Sequence, residues 1–153
     1  MSIRNISALV PAPGRSIPRW QRLAVGAIAV VMVAFAATAL VIGRQVDEAM
    51  ARAQLAHPGD GVSALIMVAG SSDTPVAERN RAIWALGQLG ADAALPLLRS
   101  LAGDAACNHA TAVCQHEVGK ALALCAGQFN VGALVWRHGE LAEAGRGPVP
   151  QGI

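Results

Sequence analysis

The sequence predicts an all-α protein: one N-terminal helix able to cross a membrane, followed by a short solenoid of helical hairpins. Three observations lead there. Leu23–Gly43 (LAVGAIAVVMVAFAATALVIG) is 21 residues long and carries no charge. Glycine and proline then punctuate the chain at helix-length intervals. Two segments also repeat each other. ALIMVAG (64–70) superimposes on LLRSLAG (97–103) at an offset of 33, and WALGQLG (84–90) on KALALCA (120–126) at an offset of 36. Such a period marks stacked units, each too small to bury its own apolar face.

Residues 1–22 read as a flexible cytoplasmic arm. Pro11, Pro13, Gly14 and Pro18 interrupt any periodicity. Arg4, Arg15, Arg19 and Arg22 give this arm a charge of +4, with no acid. They suit anionic lipid headgroups. Residues 44–153 carry eight basic and ten acidic residues. A slightly acidic folded part does not bind nucleic acid through its phosphates.

Residues 23–43 are expected to form the transmembrane helix. At about 1.5 Å per residue they match the ~30 Å apolar core of a bilayer. Arginines dominate before the span, which places the N-terminus in the cytoplasm. The protein is then expected in a bacterial inner membrane, single-pass, with its C-terminal domain periplasmic. A cleaved signal peptide is the rival, because Ala37-Thr38-Ala39 fits an A-x-A site. The run is longer than a signal h-region, however, and continues past Ala39.

Residues 44–60 are expected to be a juxtamembrane helix and linker. The composition of RQVDEAMARAQLA continues the helix to about Ala56, and Pro58-Gly59-Asp60-Gly61 breaks it. Four short helices follow over 61–137, with a C-terminal cap. The first runs over 61–69, with Gly70 as a closing glycine. Asp73-Thr74-Pro75 offers the second an N-cap and a proline at its first position, and Gly90 ends it. Asp92 offers a cap to the third, which runs to about Ala102 with Pro96 in or near its first turn. The fourth runs from about Gln115 to Ala126. Ala82, Ala85, Leu86 and Leu89 form one apolar stripe, and Val118, Ala121, Leu122 and Cys125 form the same stripe 36 residues on. Phe129 to Trp136 is too apolar to lie free, and reads as the cap of the array. Gly145, Gly147, Pro148 and Pro150 mark residues 138–153 as a disordered tail.

The segment ERNRAIWALGQLGADAALPLLRSL resembles a HEAT repeat of the short bacterial type named from phycobilisome lyases. The matching pattern is R-x-x-A-x-x-A-L-G-x-L-G, then A-x-P-x-L. Here Arg79, Ala82, Ala85, Leu86, Gly87, Leu89 and Gly90 carry it, followed by Ala94, Pro96 and Leu98. The second copy departs from it, with Ala123 in place of Gly87 and Cys125 in place of Leu89. The resemblance implies a helical-hairpin solenoid that binds other proteins. It transfers no catalytic residue.

Cys107 and Cys114 edge the loop of the second hairpin. In an oxidising compartment they would close it as a disulfide, worth about 2–3 kcal/mol for so small a ring. Free thiols are one alternative. Another is a metal site of Cys107, His109, Cys114 and His116, or a lyase-like enzyme using them, although the spacing is unlike usual zinc patterns. Cys125 falls on the buried stripe and reads as a small core residue. Trp84, Arg81 and Gln88 lie off that stripe, as anchors for a partner or as packing against a neighbouring helix. GxGxxG, P-loop, HExxH and GxSxG motifs are all absent from the sequence. The expected function is therefore a non-catalytic scaffold or accessory subunit of a membrane complex, with no cofactor. Its partner is another protein, membrane-associated or periplasmic, and two repeats are few enough that self-association could cover their ends.

Overall fold

The computed structural model describes residues 18–103 and 111–136, and within them every regular element is helical. The order is α1 (Arg19–Ala56), α2 (Gly61–Gly70), α3 (Val76–Leu89), a 3-10 turn (Asp92–Ala94), α4 (Leu95–Leu101), α5 (Gln115–Cys125) and α6 (Ala133–Trp136). The chain divides into two compact units, residues 1–34 and 35–153, and α1 contributes to both.

In the first unit the described residues, 18–34, are all exposed. Helix α1 contains the one segment among the described residues that is long and apolar enough to cross a membrane. A signal sequence near an N-terminus meets the same test.

The second unit begins with a different kind of helix face. From Phe35 to Ala56, α1 buries Ala39, Gly43, Val46, Ala49 and Ala53. The spacing of three and four residues puts them on one stripe. Val46, Ala49 and Ala53 join the main hydrophobic core. The stretch expected to link the span to the domain is thus part of that core. Ala39 and Gly43 also fall inside the expected span, yet protein covers them. A Cβ on Gly43 would lie 2.9 Å from Trp136 Cβ.

Helix α2 starts where Asp60 accepts hydrogen bonds from the N–H groups of Val62 and Ser63, both at 3.0 Å. It buries Ala64, Leu65, Val68 and Ala69. Gly70 is its last helical residue, not the left-handed residue beyond it, and extended Ser71 forms the C-cap. Leu97 occupies the space beside Gly70, 3.3 Å from where a Cβ would be.

Helix α3 is not capped by Asp73. Pro75 takes the N-cap position, and its carbonyl accepts from Glu78 and Arg79. Asp73 instead donates its N–H to Ser71 Oγ. Arg79 Nε donates to the carbonyl of Ala69 at 3.1 Å, tying the start of α3 to the end of α2. At the far end Gly90 adopts φ 63° and ψ 37°, a left-handed conformation that favours glycine. Ala91 N–H reaches Leu86 O and Gly90 N–H reaches Gly87 O, completing a Schellman closure.

Asp92 opens the 3-10 turn without capping it. Pro96 sits in the first turn of α4, where its missing N–H has no helical partner to lose. Gln115 then does for the second hairpin what Arg79 does for the first. Its Nε2 donates to Leu101 O and its Oε1 accepts from Gly103 N–H. Helix α5 ends on a second Schellman closure, with Gln128 N–H on Ala123 O and Gly127 N–H on Leu124 O.

Helices α3 and α5 lie side by side. A Cβ on Gly87 would stand 2.8 Å from Ala121 Cα, so backbone approaches backbone with only hydrogen between them. Ala82, Ile83, Ala85, Leu86, Val118, Ala121 and Cys125 of these two helices belong to the hydrophobic core.

Candidate functional site

A cleft of about 470 Å³ opens within the second unit. Gln45, Glu48 and Arg52 of α1 form one wall. Asn80, Arg81 and Trp84 of α3 and Glu117 of α5 line the rest. The wall on α1 follows from its buried stripe. With Val46, Ala49 and Ala53 turned into the core, residues 45, 48 and 52 border that stripe and line the opening.

A smaller hollow of about 120 Å³ lies along the α3–α5 seam. Trp84 and Glu117 belong to both hollows, and Gln88, Lys120 and Leu124 extend the lining. Beyond Arg52 and Arg81 a third hollow, about 310 Å³, reaches between the end of α1 and the α2–α3 hairpin. Ala53, Leu65, Val68 and Ala82 make it largely apolar.

The cleft mixes charges of both signs around an aromatic plane. Glu48 pairs with Arg52 at 3.2 Å, and Glu117 with Lys120 at 3.5 Å. Exposed pairs of this kind contribute little stability, about 0–1 kcal/mol, and exchange readily for a partner's charges. Among the described residues Arg81 is exposed and engages no carboxylate within ion-pair distance. Trp84 is half-buried, with its body packed on the core and part of it in the cleft. Asn80 is held in place, because its Oδ1 accepts the N–H of Cys114 at 2.9 Å. An aromatic platform flanked by a guanidinium and carboxylates can bind a polypeptide segment.

The structure brings together the three predicted partner residues. Arg81 and Trp84 share the main cleft, and Gln88 lies in its extension. Gln88 also accepts a hydrogen bond from Asn130 Nδ2 at 2.9 Å, so it holds the C-terminal segment as well. Sequence reasoning missed Gln45, Glu48 and Arg52. The signal was present in the stripe at 46, 49 and 53, whose neighbours on the helix surface these residues are.

The cysteine and histidine set is divided. Cys107 and His109 lie outside the described residues. Cys114 is buried at the N-cap of α5, whereas His116, two residues on, is exposed. Among the described residues no three His, Cys, Asp or Glu side chains gather into a metal-holding group. Cys125 is buried in the core, its Sγ 3.4 Å from Leu86 O.

Residues 78–104 match the family described as PBS lyase HEAT-like repeat. The match covers α3 from Glu78, the 3-10 turn and α4. Neither a curated protein nor a solved structure matches the chain.

Proposed function

We propose that this protein is a membrane-anchored, non-catalytic interaction module whose α1–α3–α5 cleft binds a segment of another protein. The observation that carries the reading is that Arg81 and Trp84 line one hollow, and Trp84 and Gln88 a second that shares Trp84 and Glu117 with it. HEAT-like repeats mediate protein association in general, and residues 78–104 match that family. In this reading the two hairpins form a short solenoid and residues 23–43 anchor it in a bacterial inner membrane. The arginine-rich arm stays in the cytoplasm by the positive-inside rule and the hairpins face the periplasm. Cys107 and Cys114 then meet an oxidising environment and close their loop as a disulfide. The partner is a membrane-associated or periplasmic protein, and a second copy of the chain can serve as one.

The test is quantitative co-purification of the detergent-solubilised full chain, wild type beside Trp84→Ala and Arg81→Glu. A protein recovered with wild type and depleted at least about tenfold by both substitutions, a change of about 1.4 kcal/mol, supports the cleft. Recovery of the same proteins by all three forms refutes it.

A further inference from the structure

Between α5 and α6 the chain exposes two large apolar side chains, Phe129 at 71% and Val131 at 52%. They stand in AGQFNVGALVW (126–136), a stretch with no charged residue. Leaving such groups in water forfeits about 25 cal/mol for each Å² of apolar surface. The segment is nonetheless built with care. Asn130 donates to Gln88 at the end of α3 and accepts the N–H of Ala133, capping α6. Ala133 is buried, and Trp136 packs on Gly43 of α1. The segment is thus pinned at both sides, with its apolar side chains left outward.

Gly43 is the last residue of the uncharged run of α1, and Arg44 follows it directly. In the same unit Phe35, Leu40 and Val41 are exposed on α1 just before Gly43. Arginine at such a junction settles at a headgroup boundary.

We propose that Phe129 and Val131 enter the interface of the bilayer that α1 crosses. The α5–α6 segment is then a second, peripheral membrane contact, set at the level of Gly43 and Arg44. This inference rests on the anchoring reading above. The occupant is lipid, not protein, because Trp136 of the same segment rests on Gly43, where the uncharged run of α1 ends, and because the segment carries no charge to pair with a partner.

The experiment uses the full chain in vesicles of phosphatidylethanolamine and phosphatidylglycerol, with a benzophenone side chain at position 33, 67 or 129. Val33 lies in the uncharged run and reports the span. Met67 is 57% exposed on α2 and controls for exposure alone. Illumination followed by mass spectrometry is expected to give phospholipid adducts at 33 and 129 and none at 67. Adducts at 33 without adducts at 129 overturn the peripheral contact and leave the anchor standing. A cross-link from 129 to a second chain, or equal lipid labelling at 67, also overturns it. No adduct at 33 removes the anchor and this inference together.

Discussion

Helix α3 buries Ala82, Ile83, Ala85, Leu86 and Gly87, whereas its counterpart α5 buries Val118, Ala121 and Cys125. The preceding helices differ in the same direction: α2 buries four residues, and the shorter α4 buries Leu98. Yet the two hairpins share their local devices. Arg79 and Gln115, 36 residues apart, each reach back to a carbonyl near the end of the preceding helix. Gly90 and Gly127 each end their helix with φ positive and a Schellman pair. The devices thus recur in both hairpins, while burial differs with position. Helix α3 has α2 and α5 beside it, and the cleft places α1 nearby as well. Helix α5 is flanked by α3 and α4. Burial against neighbours supplies stability, so α3, with more residues buried, is expected to carry more of it than α5.

The largest expected effect tests that contrast directly. Leu86→Ala should cost about 3 kcal/mol and the equivalent Leu122→Ala about 1 kcal/mol, read from denaturant unfolding of the full chain in detergent. Equal costs would break the central-against-edge distinction.

The connections differ too, five residues (71–75) in the first hairpin against thirteen (102–114) in the second. If Cys107 and Cys114 staple the longer one, dithiothreitol should lower stability by about 2–3 kcal/mol. Alkylation of unreduced, denatured protein should then label Cys125 alone. Labelling of all three cysteines, with no change on reduction, would remove the staple.

Gly87→Ala should cost about 1–3 kcal/mol, because its new methyl meets the backbone of Ala121 and the helices must part. The reverse change in the edge copy, Ala123→Gly, should cost only about 0.5–1 kcal/mol, the conformational penalty of glycine in a helix. A Gly87→Ala midpoint equal to wild type would mean that the seam is looser than its geometry.

Gly43→Ala should release α6 without touching the hairpins, since a methyl there meets Trp136. Hydrogen exchange should rise by about an order of magnitude over 133–136 and stay unchanged in α3. Faster exchange in α3 as well would show that α6 supports the whole stack.

The smallest effect concerns helix starts. Asp60 caps α2 through its side chain, and no side chain caps α4. Hydrogen bonds from the Ser63 hydroxyl, then from the Ser63 and Val62 N–H groups, hold the Asp60 carboxyl below its ordinary value of 3.8. A lowered value means that the ionised cap stabilises above about pH 4 and that this contribution fades as pH falls through the folded value. Asp60→Ala should therefore lower the melting temperature slightly at pH 7 and progressively less toward pH 2. A gap that widens in acid would contradict the cap.

Much of this was legible from single segments. The end of α1 near Ala56, the break after it, the paired stripes of α3 and α5, and the turn at Gly90 all rest on local chemistry. What stayed hidden depends on partners distant in the chain. Ala39 and Gly43 lie inside the uncharged run, where a small residue fits against lipid or against protein equally well, and Ala49 and Ala53 lie in a stretch whose composition shows a helix but not what covers it. Gly70 looked like a helix stop, but it is a helical residue beside Leu97. Asp73 had the right chemistry for a cap, but Pro75 already supplies the extended turn into α3. The cleft was half visible: Trp84, Arg81 and Gln88 could be chosen as off-stripe residues, while its α1 wall required knowing that residues 46–53 are covered.

The meeting of Trp136 with Gly43 has a consequence for how such a chain can grow. Repeat proteins lengthen by duplicating a unit and inserting it in line. Here an insertion after α5 would carry α6 away from the helix it rests on. The tryptophan–glycine contact therefore works as a ruler, and any longer descendant would need a new place to lay its final indole.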